Sequence, residues 1–156
     1  ESGSLLTILL MIVGGSPGST AGGIKTTTIV VLLLGAISSS KGMTDLSIFK
    51  RRLEDNALKR ASSIASIYIS TTMIAVFIIC ATQAFSLKET LFEVYSAAGT
   101  VGLTMGITPK LNNLSKIIII FLMYFGKVGS LSMALVLAEK RDIAPLSRPV
   151  EKIIIG

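Results

Sequence analysis

The chain has 156 residues, 51% of them apolar and only 15% charged, with a mean hydropathy of +0.74 and a formal net charge of +6. That length suits one soluble domain, but the apolar excess excludes an ordinary soluble core and points to membrane-spanning segments. Histidine and tryptophan are absent and Cys80 is the only cysteine, so His-based triads, His metal sites and internal disulfides drop out, and Cys80 reads as a small buried hydrophobe.

The chain begins at Glu1, and no basic n-region with a small-residue cleavage site precedes its first apolar run. It reads as a piece of a longer polypeptide, and no signal peptide is visible in it. The first apolar segment, Leu5–Ile37, is 33 residues long, too long for one straight span, because a helix crosses the hydrocarbon core in about 20 residues. It is broken by GGSPGSTAGGIK at 14–25, with five glycines, Pro17 and Lys25. Pro17 removes a backbone donor, and each glycine costs ~1 kcal/mol against alanine inside a helix. A continuous helix through Gly14–Gly23 is therefore excluded, although Gly14/Gly18 and Gly18/Gly22 have small-xxx-small packing spacing. A Walker phosphate loop is excluded too: counted from Gly18, Ile24 intervenes between Gly23 and Lys25-Thr26, and the flanks are too apolar.

A connector at 41–60 follows, with six Lys/Arg, and then 62–83, with no charge in 22 residues. The third apolar segment, 116–138, has one internal charge, Lys127, and the tail 139–156 carries four more Lys/Arg. Between the second and third segments, Ser86–Ser115 holds only Lys88 and Lys110. By the positive-inside rule the connector and the tail are cytoplasmic and 86–115 faces outside. The net charge thus reflects topology. A nucleic-acid partner would require a basic face interleaved with aromatics, and the few aromatics here lie mostly within the spans.

The outer connector reads SLKETLFEVYSAAGTVGLTMGITPKLNN (86–113). Ser86 and Glu89 have capping-box spacing, so a helix starts there, runs over Leu87–Ala97 with Leu91, Phe92 and Tyr95 available to pack, and stops at Ala98-Gly99. It is too short to span and is expected to dip into the membrane from outside. Irregular backbone at that depth is tolerated only in protein or along a watery cavity. A helix C-terminus pointing inward favours a cation, and carbonyls of an extended segment can replace a cation's hydration shell, as in the TVGYG loops of potassium channels. Thr100-Val101-Gly102 match the first three residues of that loop, with Leu103 and Thr104 in place of Tyr and the second Gly. The competing reading is an ordinary outer hairpin, with the chain a non-conducting structural membrane module that scaffolds a partner. An enzyme lacks any convergent acid–base set: Glu89 and Glu93 are on the outer helix and Glu139 is on the inner side.

GGSPGSTAGGIKTTT (14–28), AAGTVGLTMGITPKL (97–111) and FGKVGSLSMAL (125–135) together resemble the Ktr/Trk/HKT superfamily of potassium transporters, and most closely the membrane subunit of bacterial Ktr systems. The resemblance implies an all-α membrane protein of helix–pore-loop–helix repeats. Residues 1–40 correspond to the broken second helix of the third repeat, 41–60 to a cytoplasmic linker, 61–138 to the fourth repeat and 139–156 to a cytoplasmic tail. Three of the four filter segments would then lie in N-terminal repeats of the same chain.

The resemblance also implies site residues. Thr100, Val101, Gly102 and Leu103 align with a selectivity-filter strand, with potassium held at Thr100, Val101 and Gly102. Gly14, Gly15, Ser16, Pro17, Gly18, Ser19, Thr20, Ala21, Gly22 and Gly23 align with an intramembrane gating loop. Lys127 aligns with a basic residue, usually Arg, near that loop; lysine keeps the charge but loses the planar fork. Counted from the ends of its segment it lies ~15 Å deep at 1.5 Å per residue, too far to snorkel, where an ionisable group faces water. Lys25 is a second candidate gate charge, in the loop or a turn nearer the cytoplasm. Ser130 stands where the family usually has proline.

The implied activity is passive potassium permeation at the cell membrane, without covalent cofactor, and with sodium as a candidate coupling ion. The implied partners are a second copy in a homodimer, a cytosolic ring of nucleotide-binding regulatory subunits, and membrane lipid.

Overall fold

The computed structural model describes residues 2–41, 47–48, 51–52 and 56–129. Half of the linker, Ser130 and everything expected of the tail and of 130–138 lie outside the described residues.

The break in the first apolar segment falls where the glycines put it. Helix α1 covers Ser2–Ile12 and α2 covers Thr26–Ser40. The intervening chain closes into a narrow omega-like loop. Its mouth is tied by hydrogen bonds from Gly14 N–H to Ile24 O at 2.7 Å and from Ile24 N–H to Ile12 O at 3.1 Å. Gly14 permits this closure, since a Cβ there would stand 2.1 Å from Gly22 O. The linker contains a two-residue antiparallel ladder pairing β1 (Ser47–Ile48) with β2 (Arg51–Arg52), a small departure from an all-helical chain.

Helix α3, Ala57–Thr82, is the one helix among the described residues long and apolar enough to cross a membrane; at 1.5 Å per residue it extends about 39 Å. It begins five residues before the uncharged stretch, so Lys59 and Arg60 form its first turn. Helix α4, Leu87–Ala98, follows. Its capping box is formed: Glu89 N–H donates to Ser86 Oγ, while Ser86 N–H and Oγ–H donate to Glu89 Oε2. The hydroxyl, and after it the amide, hold the Glu89 carboxyl below its ordinary value because both favour the charged form.

The chain returns through an exposed stretch and a short 3₁₀ turn, Thr108–Lys110, to α5, Asn113–Val128. Asn112 caps α5 by accepting from Ser115 N–H at 2.7 Å. Gln83, just past α3, clamps the return: it donates to Lys110 O at 3.0 Å and accepts from Asn112 N–H at 3.1 Å.

Helix α4 is the hub. One apolar cluster joins Val94 and Ala97 to Ala75, Val76 and Ile79 of α3 and Ile119 and Leu122 of α5. A second, on the other side, joins Phe92, Tyr95 and Ala98 to Ile8 and Met11 of α1, Ile24, Tyr68 and Phe125. A 12-residue helix that isolated would be marginal is thus held by burial on nearly all sides. The reverse holds for the outward faces of α1, α3 and α5, where Leu9, Leu10, Phe77, Ile117, Ile120 and Tyr124 are exposed.

Candidate functional site

Three chain segments meet at the C-terminal end of α4. The last four carbonyls of a helix lack intrahelical partners, and here each finds one. Tyr95 O accepts from Gly99 N–H, Ser96 O from Val101 N–H, Ala97 O from Thr100 N–H, and Ala98 O from Gly23 N–H of the glycine-rich loop. The terminal carbonyls are thus all occupied, one of them by the loop. The helix dipole still points the same way.

Glycines make this convergence possible. A Cβ on Gly22 would lie 2.7 Å from Ala98 O, and one on Gly126 of α5 only 2.0 Å from the same oxygen. A Cβ on Gly99 would lie 2.8 Å from Met11 O. Loop, α5 and α1 thus approach a single peptide group to backbone contact.

Residues 100–103 leave this junction in an unusual conformation. Thr100 has φ +54° and Gly102 φ +82°. Glycine adopts positive φ freely, but a β-branched residue there carries strain of ~1–3 kcal/mol, which persists only when its surroundings hold it. The hold is visible: Thr100 Oγ1 accepts from Gly22 N–H at 2.9 Å. Val101, Gly102, Leu103 and Thr104 are exposed, beside a cavity of about 560 Å³ lined in part by Glu93, Ser96, Thr100, Thr104 and Met123.

Of the expected loop residues, Gly14, Gly22 and Gly23 make the contacts described above, while Ser16, Pro17, Gly18, Ser19 and Thr20 are exposed. Gly15 O accepts from Thr26 N–H at 3.4 Å. Lys25 turns back onto its own loop: Nζ donates to Ser19 O at 3.0 Å and to Ala21 O at 2.8 Å.

Lys127 stands at the C-terminal end of α5. Helix α5 ends at Val128, with Gly129 at φ +92°, so Lys127 occupies the last turn and is exposed. A cation in a last turn is favoured by the helix dipole. Gly129, just past the helix, has the positive φ common at a helix C-terminus. Lys127 also follows Gly126, the residue that abuts Ala98 O.

One residue of the site went unsingled by sequence reasoning. Glu93 on α4 is only 6% exposed. Its Oε2 accepts from Thr104 Oγ1 at 2.8 Å and its Oε1 accepts from Thr108 Oγ1. The two hydroxyl oxygens are 2.8 Å apart, and Gly106 N–H donates to Thr104 Oγ1 at 3.0 Å. An acidic residue in the middle of a short helix, with threonines following in the return, was the available signal.

Against known proteins, the profile of the TrkH family, described as a cation transport protein, matches residues 1–144. The chain is 38% identical over 122 residues to the potassium/sodium uptake protein NtpJ of Enterococcus hirae, covering 74% of this chain and 27% of that protein. It is 37% identical over 117 residues to the Ktr system potassium uptake protein D of Bacillus subtilis, covering 75% of this chain and 26% of that protein. The Ktr system potassium uptake protein B of the same organism is 34% identical over 103 residues, covering 66% and 23%. The chain therefore spans about a quarter of the length of these relatives. A buried short helix, a glycine-rich loop docked on its end and a profile match over most of the sequence lead to one conclusion: the chain belongs to the TrkH family of cation transport proteins.

Proposed function

We propose that this chain forms part of the cation pathway of a potassium uptake protein, with Thr100, Val101, Gly102 and Leu103 as one strand of a carbonyl filter. The loop Gly14–Gly23 is the gate beneath it. The observation that carries the reading is the hydrogen bond from Gly22 N–H to Thr100 Oγ1, which joins the glycine-rich loop to the foot of the exposed segment. A loop whose only role was to break a helix would not require a bond to that residue.

The chemistry follows from the backbone. An ion shedding water needs oxygen ligands at fixed positions, and alternating positive-φ residues let successive carbonyls be turned toward one side. Potassium is held at Thr100, Val101 and Gly102, with ligands from corresponding strands in the remaining repeats of the same polypeptide. The docked loop then lies on the cytoplasmic side of these sites and obstructs the path; undocking clears it. Lys25, clasping Ser19 O and Ala21 O, keeps the loop compact and its own charge occupied. Lys127, beside the α5–α4 contact, sets a positive barrier at the loop's edge.

The relatives' printed names support potassium, with sodium as a transported or coupling ion. The exposed apolar faces of α1, α3 and α5 fit lipid and the remaining repeats. A multi-pass plasma-membrane protein with a cytoplasmic tail, a homodimeric assembly and a cytosolic nucleotide-binding regulatory ring complete the proposal.

The test is uptake by the complete polypeptide in a cell lacking its own potassium transport, with rubidium and sodium as competitors. Potassium-dependent growth and rubidium-competed uptake are expected. A polypeptide present in the membrane that transports neither ion contradicts the reading.

A further inference from the structure

We propose that Glu93 is a positioning residue for cation discrimination, holding the outer end of the 100–103 segment through Thr104 and Thr108; this rests on reading that segment as a filter strand. The segment is held at its inner end by the Ser96, Ala97 and Gly22 hydrogen bonds. Packing within the described chain does not hold its middle, because Val101 and Leu103 are exposed. The outer end is held by Thr104, the residue directly after Leu103, which donates to Glu93 Oε2 at 2.8 Å. Thr108 donates to the other oxygen of the same carboxylate, and Gln83 clamps the chain just beyond.

Glu93 itself is fixed by α4. It is only 6% exposed, on a helix whose neighbouring residues Phe92 and Val94 are packed into the two apolar clusters. A buried carboxylate is costly unless its oxygens are satisfied, and an apolar contact could tie a turn to a helix without that cost. What the carboxylate adds is direction. Two acceptors on a rigid helix fix both the position and the rotation of the returning backbone, and through it the carbonyls of Gly102 and Leu103.

The test uses the complete polypeptide, reading the ratio of apparent affinities for potassium and sodium in competition uptake alongside membrane abundance. Glu93→Gln keeps the size but weakens both hydrogen bonds; the ratio is expected to fall about tenfold, equivalent to ~1.4 kcal/mol. Thr108→Val removes one donor outside the strand and should lower it about threefold, within the range for a single hydrogen bond. The loss in the double variant should be smaller than the product of the two single losses, because both act on the same hydrogen-bonded cluster.

A purely structural Glu93 would lower protein abundance and leave the ratio unchanged, and that result in both single variants overturns the inference. Should Glu93→Gln not reach the membrane, Thr108→Val decides alone. Gly102→Ser in the same assay separates the two layers. If it shifts the ratio while the Glu93 and Thr108 variants do not, only this inference fails. If none shifts it, the filter reading fails as well.

Discussion

Gly22→Ala tests the docking of the loop on α4 directly. Its new Cβ would stand 2.7 Å from Ala98 O, 3.0 Å from Gly99 C and 3.0 Å from Thr100 Cγ2. Two of these neighbours are backbone and cannot rotate aside. To restore ordinary contact near 3.4 Å the loop must retreat by about 0.7 Å. The Gly22–Thr100 and Gly23–Ala98 hydrogen bonds, now 2.9 and 3.2 Å, would then stretch beyond the usual 2.7–3.2 Å range. Two bonds worth roughly 0.5–1.5 kcal/mol each shift the docked population by ~1–3 kcal/mol, or about 5- to 150-fold. Rubidium uptake at matched membrane abundance should rise severalfold if the docked loop obstructs the path. Uptake equal to or below the parent's, with the variant folded and present, would refute the reasoning.

Two further outcomes follow from the same junction. Deleting Ser16–Ala21 removes the exposed tip of the loop together with both carbonyls that bind Lys25, and should raise uptake; unchanged flux argues against a gate. Gly126→Ala places a Cβ 2.0 Å from Ala98 O, a clash against backbone that forces α5 off α4. Overpacking typically costs ~1–3 kcal/mol and occasionally more, so a lower melting temperature of the purified protein is expected, and an unchanged one would place α5 elsewhere.

What was legible in the sequence was what local spacing encodes. Ser86 and Glu89 are three residues apart, so the start of α4 could be read directly, and the glycines and Pro17 dictated the interruption between α1 and α2. What was not legible depends on partners distant along the chain. Gly126 reads as a minor blemish in an apolar helix until Ala98 O, 28 positions earlier, is seen against it. Glu93 meets Thr104 and Thr108 only after positive-φ turns at Gly102 and Gly106 fold the return back over α4. Lys25 could not be placed because its acceptors are carbonyls, whose directions depend on loop dihedrals that side-chain identity does not report.

The most direct measurement of the central claim is the potassium-to-sodium preference of the Gly102→Ser variant of the complete polypeptide. Gly102 has φ +82° and no neighbour within this chain that a Cβ would meet, so serine there is strained through its backbone. At wild-type membrane abundance, discrimination between potassium and sodium in competition uptake should weaken. Identical selectivity in the variant would contradict the assignment of Thr100–Leu103 as a filter strand.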